Sequence, residues 1–180
     1  NLNALGDSGY LTTNSFKYYK KIKSLSNHGM ENRNIIKNFG HVSRMDNLQA
    51  AFLNYKLKNL DKVISQRRKN ALIYMKELDR KFVFFNDEKK VEFNTYHTFV
   101  IQVRFRNKLR EYLLDKGIAT SIHYPVPIHL QPASKYLGHK IGDFKTTEIQ
   151  SQRILTLPVN ENLSSNQIKY ICRCVNKFYV

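Results

Sequence analysis

A mixed α/β chain organised around one long helix is the fold class the sequence predicts, and three observations predict it. Apolar residues and Arg67 recur along one line: Met45, Leu48, Phe52, Tyr55, Leu60, Val63, Arg67, Ala71, Tyr74 and Leu78 stand at steps of three or four, with one slip of five. That is the spacing of a single helix face. Further on, Phe99, Ile101, Val103 and Phe105 alternate with Val100, Gln102 and Arg104, giving a strand one strongly apolar face. Around these two segments, cap residues and glycines punctuate shorter helical runs.

Taken in chain order, Gly6-Asp7-Ser8-Gly9 is a turn signal and residues 10–13 a short strand signal. Phe16, Tyr19, Ile22 and Leu25 keep helical spacing, Asn14 or Ser15 can cap the start, and Gly29 can end the run with a positive φ. Residues 30–42 read as a polar loop. Ser43 and Asp46 fit the S-x-x-D form of a capping box. The helix they would open, about 45–80, is roughly 50 Å long at 1.5 Å per residue, so it would bridge two lobes or lie along a dimer interface. The expected division is 1–80 and 81–180. After the strand at 99–105, Asn107 can cap a helix over 108–116 that stops at Gly117. Ile118, Thr120 and Ile122 predict a second strand, and Pro125 and Pro127 force an extended loop. Helices near 147–155 and 165–178 follow, the last with Ser164 and Gln167 as a capping box.

Composition narrows the classes. The chain has 180 residues, 42% of them hydrophobic, enough to bury roughly 70% of its unfolded surface, so disorder is excluded. No apolar run reaches the ~18 residues of a membrane span, and no signal peptide is visible. The two cysteines, Cys172 and Cys174, give neither a disulfide framework nor zinc spacing, which fits a reducing, cytoplasmic setting. A net charge of +16 raises an anionic partner. Yet the lysines are scattered, and the denser runs at 17–23 and 66–69 read as solvated helix faces. A basic nucleic-acid-binding module therefore stays only as an alternative.

Four stretches say more. Asn1-Leu2-Asn3-Ala4-Leu5-Gly6-Asp7-Ser8-Gly9, Ser43-Arg44-Met45-Asp46-Asn47-Leu48-Gln49-Ala50-Ala51, His123-Tyr124-Pro125-Val126-Pro127-Ile128-His129-Leu130-Gln131-Pro132, and Gly142-Asp143-Phe144 followed by Leu155-Thr156-Leu157-Pro158 resemble, in the same order, conserved strings of the DegT/StrS family of sugar aminotransferases. The resemblance implies the C-terminal part of a fold-type-I pyridoxal 5'-phosphate (PLP) enzyme: the end of the large domain, a long connecting helix and a small α/β domain. It implies amino transfer, with glutamate as donor, to a nucleotide-linked keto sugar for surface polysaccharide, by a homodimer with shared active sites.

It also assigns roles. The lysine that holds PLP as a Schiff base would immediately precede Asn1, so the chain alone is expected to be inactive. Asn1, Ser43 and Arg44 fall at cofactor-binding positions, Arg44 reaching the partner subunit's site near the phosphate. A planar, permanent cation suits that task. Val42 stands where the family has a phosphate-binding Asn, so Ser43 or a helix-start N–H would have to take over. His123, Tyr124 and His129 would form a substrate-facing wall; the competing reading makes them structural. The two histidines lack a third ligand at metal spacing. His28, His41, His97 and His139 have no partner the sequence identifies. Within the family, a histidine in place of the missing lysine would make the enzyme a dehydratase.

Overall fold

In the computed structural model, which describes residues 2–180, the chain runs α1 (Phe16–Leu25), β1 (Met30–Asn32), β2 (Ile35–Ile36), α2 (Asn47–Leu57), α3 (Leu60–Glu77), β3 (Val83–Phe84), β4 (Phe99–Val103), α4 (Arg106–Asp115), two 3-10 turns (Ile128–Leu130 and Pro132–Leu137), α5 (Lys145–Arg153), β5 (Ile154–Leu157) and α6 (Ser165–Phe178). The expected 45–80 helix is therefore two helices. The interruption at Lys58 and Asn59 coincides with the slip of five between Tyr55 and Leu60, where one apolar stripe cannot stay in phase and Asn59 is a poor helix former. Contacts divide the chain at the same place, into Leu2–Leu60 and Asp61–Val180, ahead of the expected 80/81 boundary. The reason is that α3 buries Asn70, Ala71 and Tyr74 in the core of the second unit.

In Leu2–Leu60, neither α1 nor α2 buries a side chain. Local backbone bonds hold the unit. Ser15 caps α1, its hydroxyl accepting the Tyr18 amide at 3.4 Å. Gly29 sits at φ 74°, and a Cβ there would fall 1.6 Å from the Asn38 carbonyl oxygen; one on Gly40 would fall 2.5 Å from that of Leu25. Only glycine permits such backbone approach. The expected polar loop is in fact a hairpin. Met30 pairs with Ile36, and Asn32 Oδ1 accepts the amides of Asn34 and Ile35 at 3.0 Å each, an Asx turn between strands. Residues 10–13 form no strand, and Tyr10 and Leu11 stay exposed. The expected capping box at Ser43 also fails: α2 starts at Asn47, and its N-cap Asp46 makes no side-chain cap bond.

In Asp61–Val180, β3, β4 and β5 form an antiparallel sheet in that order. Its core gathers Ala71 and Tyr74 of α3, Phe99, Ile101 and Val103 of β4, Leu109 and Leu113 of α4, Leu155 and Leu157 of β5, and Ile168, Ile171 and Val175 of α6. Burying each of the larger side chains is worth about 1.5–3 kcal/mol. The β4 alternation stops at Phe105, which turns to φ 54° as the exposed N-cap of α4, so Asn107 is not the cap. The second expected strand shrinks to one bridge, Ser121 to Thr156, because the Ile118 amide already closes the end of α4 on the Leu113 carbonyl at 2.8 Å. The Ser164–Gln167 capping box is present in full. No described helix is long and apolar enough to cross a membrane.

Candidate functional site

The first set of candidates lies in Leu2–Leu60. After the hairpin the chain runs extended: Val42 bridges to Asn27, and the Ser43 amide donates to the Ser26 carbonyl at 3.0 Å. These bonds deliver Arg44 to an open cavity of about 990 Å³. Lys17, Lys20, Lys21 and Lys23 of α1, Arg33 and Lys37 of the hairpin, and Arg44 line it. The one carboxylate in the lining, Glu31, is paired with Lys37. The cavity is thus strongly cationic and offers many N–H donors to an anion. Arg44 precedes α2 instead of opening it, and the Ser43 amide is already used, which leaves its hydroxyl and the Arg44 guanidinium as the local donors. Asn1 lies outside the described residues.

The second set lies in Asp61–Val180. His123 follows the Ser121–Thr156 bridge, and its Nδ1 stands 2.7 Å from Thr156 Oγ1, so the ring is oriented by β5. Tyr124 is 85% exposed and sits at φ 60°. A strained backbone that presents an unburied aromatic is a mark of a ligand-facing position.

His129 departs from the expectation. It is only 7% exposed, with Nε2 3.0 Å from Glu148 Oε1 and its ring 4.7 Å from that of Phe144. An ionised carboxylate only accepts, so Nε2 carries the proton. Glu148 also accepts the Gly142 amide at 2.9 Å and the Phe144 amide at 3.3 Å. These bonds, the Gly142 amide first, hold its carboxyl below the usual range. His129 thereby fastens the 3-10 turn to the start of α5, and the Gly-Asp-Phe string is the other half of that joint. Nearby, His139 Nδ1 is 3.5 Å from Asp143.

His97, unassigned from sequence, lies just ahead of β4, its carbonyl accepting from Arg67 at 3.2 Å. Partial burial is the first cause that lowers its ring below the ordinary value. The available signal was Arg67 itself, a charged residue on the otherwise apolar line of α3. Among the described residues, no three His, Cys, Asp or Glu side chains gather to hold a metal.

The fold is that of part of a fold-type-I PLP-dependent transferase. It superimposes with a TM-score of 0.86 on DesV of S. venezuelae, solved in complex with a ketimine intermediate, at 27% identity over 92% of this chain and 45% of that one. A DegT DnrJ EryC1 StrS aminotransferase from Brucella abortus gives 0.85 at 28% identity, over 92% and 44%. The sequence matches the DegT/DnrJ/EryC1/StrS aminotransferase family over residues 1–176, and the chain belongs to that family. The dTDP-3-amino-3,6-dideoxy-alpha-D-galactopyranose transaminase of Aneurinibacillus thermoaerophilus is 32% identical over 94% of this chain and 46% of its own length. The pleiotropic regulatory protein of Geobacillus stearothermophilus is 33% identical over 99% and 49%. The chain spans about half the length of these relatives.

Proposed function

We propose that the protein to which this chain belongs is a PLP-dependent aminotransferase. It moves an amino group from glutamate to a nucleotide-linked keto sugar, as a cytoplasmic homodimer serving surface polysaccharide synthesis. The observation that carries this is the fold match to DesV at 27% identity across 92% of the chain, joined to the cationic cavity that Arg44 lines.

The residues present fit the phosphate end of PLP and no more of it. The Ser43 hydroxyl and the Arg44 guanidinium are the donor types that hold a phosphate, with the Arg able to fork onto two oxygens, whereas the apolar Val42 offers no side-chain donor. When bound, the cofactor supplies the carbonyl that accepts and returns the amino group. The lysines of α1 add positive potential beside Arg44. In the other unit, Thr156 fixes the His123 ring, and Tyr124 presents its phenol to solvent where a sugar nucleotide can meet it. Arg44 acting across the dimer, and Asn1 beside the cofactor-holding lysine, belong to the same reading.

The test uses the full-length protein supplied with L-glutamate and nucleotide keto sugars. Release of 2-oxoglutarate together with an aminated sugar supports the proposal; a deoxygenated product without nitrogen would make the protein a dehydratase. Arg44→Ala should weaken PLP affinity roughly ten- to hundredfold, the equivalent of about 1.5–3 kcal/mol for a charge-assisted bond. Mixing that variant with one lacking the cofactor-holding lysine should restore part of the activity if Arg44 serves the partner's site. No recovery despite proven subunit exchange would rule out the shared site.

A further inference from the structure

β5 sets one polar side chain between two core leucines. Leu155 and Leu157 are buried in the core, and alternation along the strand turns Thr156 to the opposite face of the sheet. Thr156 pairs with Val100 of β4 on one side and with Ser121 on the other. There the Ser121 amide donates to the Thr156 carbonyl at 3.2 Å, and the Thr156 amide to the Ser121 carbonyl at 2.8 Å. His123 follows that bridge by two residues, the step that keeps an extended chain on one face, and its Nδ1 stands 2.7 Å from Thr156 Oγ1. Next to it, Tyr124 takes φ 60°, and its ring lies 6.3 Å from the imidazole.

The proton balance of this contact fixes the ring. Thr156 is buried, and among the described residues its hydroxyl has one hydrogen-bond partner, His123 Nδ1. Were Nδ1 the donor, the threonine hydroxyl would hold a proton with no acceptor, the state that buried polar groups avoid. With the hydroxyl donating, Nδ1 accepts and both groups are satisfied. The 2.7 Å separation is also that of an O–H donor, shorter than the ~2.9–3.0 Å usual for an N–H donor. In a neutral imidazole the proton then sits on Nε2. That nitrogen makes no hydrogen bond within the described residues, and His123 itself is exposed.

We infer that Thr156 is a positioning residue: its hydroxyl holds His123 in the tautomer that carries the proton on Nε2, so that His123 meets the sugar nucleotide as a neutral hydrogen-bond donor. This rests on the reading that His123 belongs to the sugar-nucleotide wall. The tautomer also selects what it meets. A hydroxyl can serve either form of the ring, whereas an oxygen that only accepts is met by the Nε2–H form alone. Two parts of a nucleotide-linked keto sugar offer such an oxygen, the phosphoryl groups and the keto carbonyl.

The test uses the full-length protein. Long-range nitrogen–proton NMR of histidine-labelled protein at about pH 8, above the ordinary histidine range, reads which nitrogen of His123 bears the proton, with no ligand present. The wild type is expected to carry it on Nε2. Thr156→Val should move part of the population to the Nδ1 form, and Thr156→Ser, which returns a hydroxyl, should restore the wild-type signal. Binding of dTDP and UDP is then measured by calorimetry, and kcat/KM with the nucleotide keto sugar by turnover. Thr156→Val should lower one or both about three- to tenfold, the loss of one neutral hydrogen bond, and Thr156→Ser should recover it. In a His123→Ala background, Thr156→Val should change neither beyond about twofold, because its effect runs through the ring. A loss in nucleotide binding and turnover alike assigns a phosphoryl oxygen; a loss in turnover alone assigns the keto oxygen. A proton on Nδ1 in the wild type, a tautomer unmoved by Thr156→Val, no loss in either measurement, or an equal loss in the absence of the His123 ring would each overturn the inference. The NMR signal needs no substrate, and the glutamate half-reaction, read separately from the cofactor's absorbance, decides the aminotransferase reading, so failure of one is told from failure of the other.

Discussion

Asn70 and Asn160 are ninety residues apart in sequence, yet the Asn70 side-chain amide donates to the Asn160 carbonyl at 2.8 Å. Asn70 is fully buried and accepts in turn from Gln66 at 3.2 Å. Truncation would remove this donor from the Asn160 and Leu163 carbonyls, leaving the Asn160 carbonyl with the Leu163 amide at 3.3 Å, and would open a gap in the interior where the side chain stood.

Asn70→Ala should therefore destabilise Asp61–Val180 by about 1–3 kcal/mol. In urea titrations followed by circular dichroism the midpoint should fall with an unchanged slope. A midpoint indistinguishable from wild type would show that water satisfies these carbonyls.

Acid should loosen the joint between His129 and α5. The Glu148 carboxyl is held below its ordinary 4.5, first by the Gly142 amide and also by His129 and Phe144. A lowered native pKa stabilises the fold at pH values above the unfolded one. That contribution is lost as pH falls from the ordinary carboxylate range through the native value. Asp143, lowered by the Lys140 amide and by His139, adds the same sign. Glu148→Gln should flatten the acid limb of a stability–pH curve and leave its neutral limb sloping as in wild type. An acid limb as steep as wild type would assign the effect to other carboxylates.

Cys172 and Cys174 are both buried on α6, and burial pushes the Cys172 thiol up to about 12. At pH 8 neither should react with a thiol reagent until the protein is unfolded, because the thiolate is the nucleophile and both sulfurs are covered. Rapid labelling of the native protein would show that α6 detaches.

Tyr124 holds φ 60° without any burial to compensate. Tyr124→Gly relieves that strain, offset by the larger freedom of glycine when unfolded, so stability should change by about 0–1 kcal/mol in the favourable direction. Binding of the sugar nucleotide should weaken in the same protein. A drop of several degrees in Tm would make Tyr124 a structural residue.

How far the sequence could be read depended on whether each signal was local. The Ser164–Gln167 box and the burial of Phe99, Ile101 and Val103 were legible because caps and alternation lie within a few residues. The break at Lys58–Asn59 was written in the slip of five, and the continuous periodicity on either side hid it. The hairpin at 30–36 escaped because Gly29 and Gly40 meet only through the backbone, which leaves no side-chain pattern. At the candidate site, motif position proposed Arg44, which lines the cationic cavity, and His123, which Thr156 holds. The burial of His129 was not legible, because its partner Glu148 stands nineteen residues on, in a helix with no visible link to it.

The joining of Glu77 and Asp79 to Asn176, whose side-chain amide donates to the Glu77 carbonyl at 2.8 Å and whose oxygen accepts the Asp79 amide at 3.0 Å, has a consequence for biosynthesis. α6 brings Ile168, Ile171 and Val175 to a core whose first contributor, Ala71, leaves the ribosome about a hundred residues earlier. At about 5–20 residues per second, the nascent chain must keep Tyr74, Ile101 and Leu109 uncovered for several seconds. A premature stop ahead of residue 165 would release a polypeptide that cannot close this core, a substrate for chaperones and proteases.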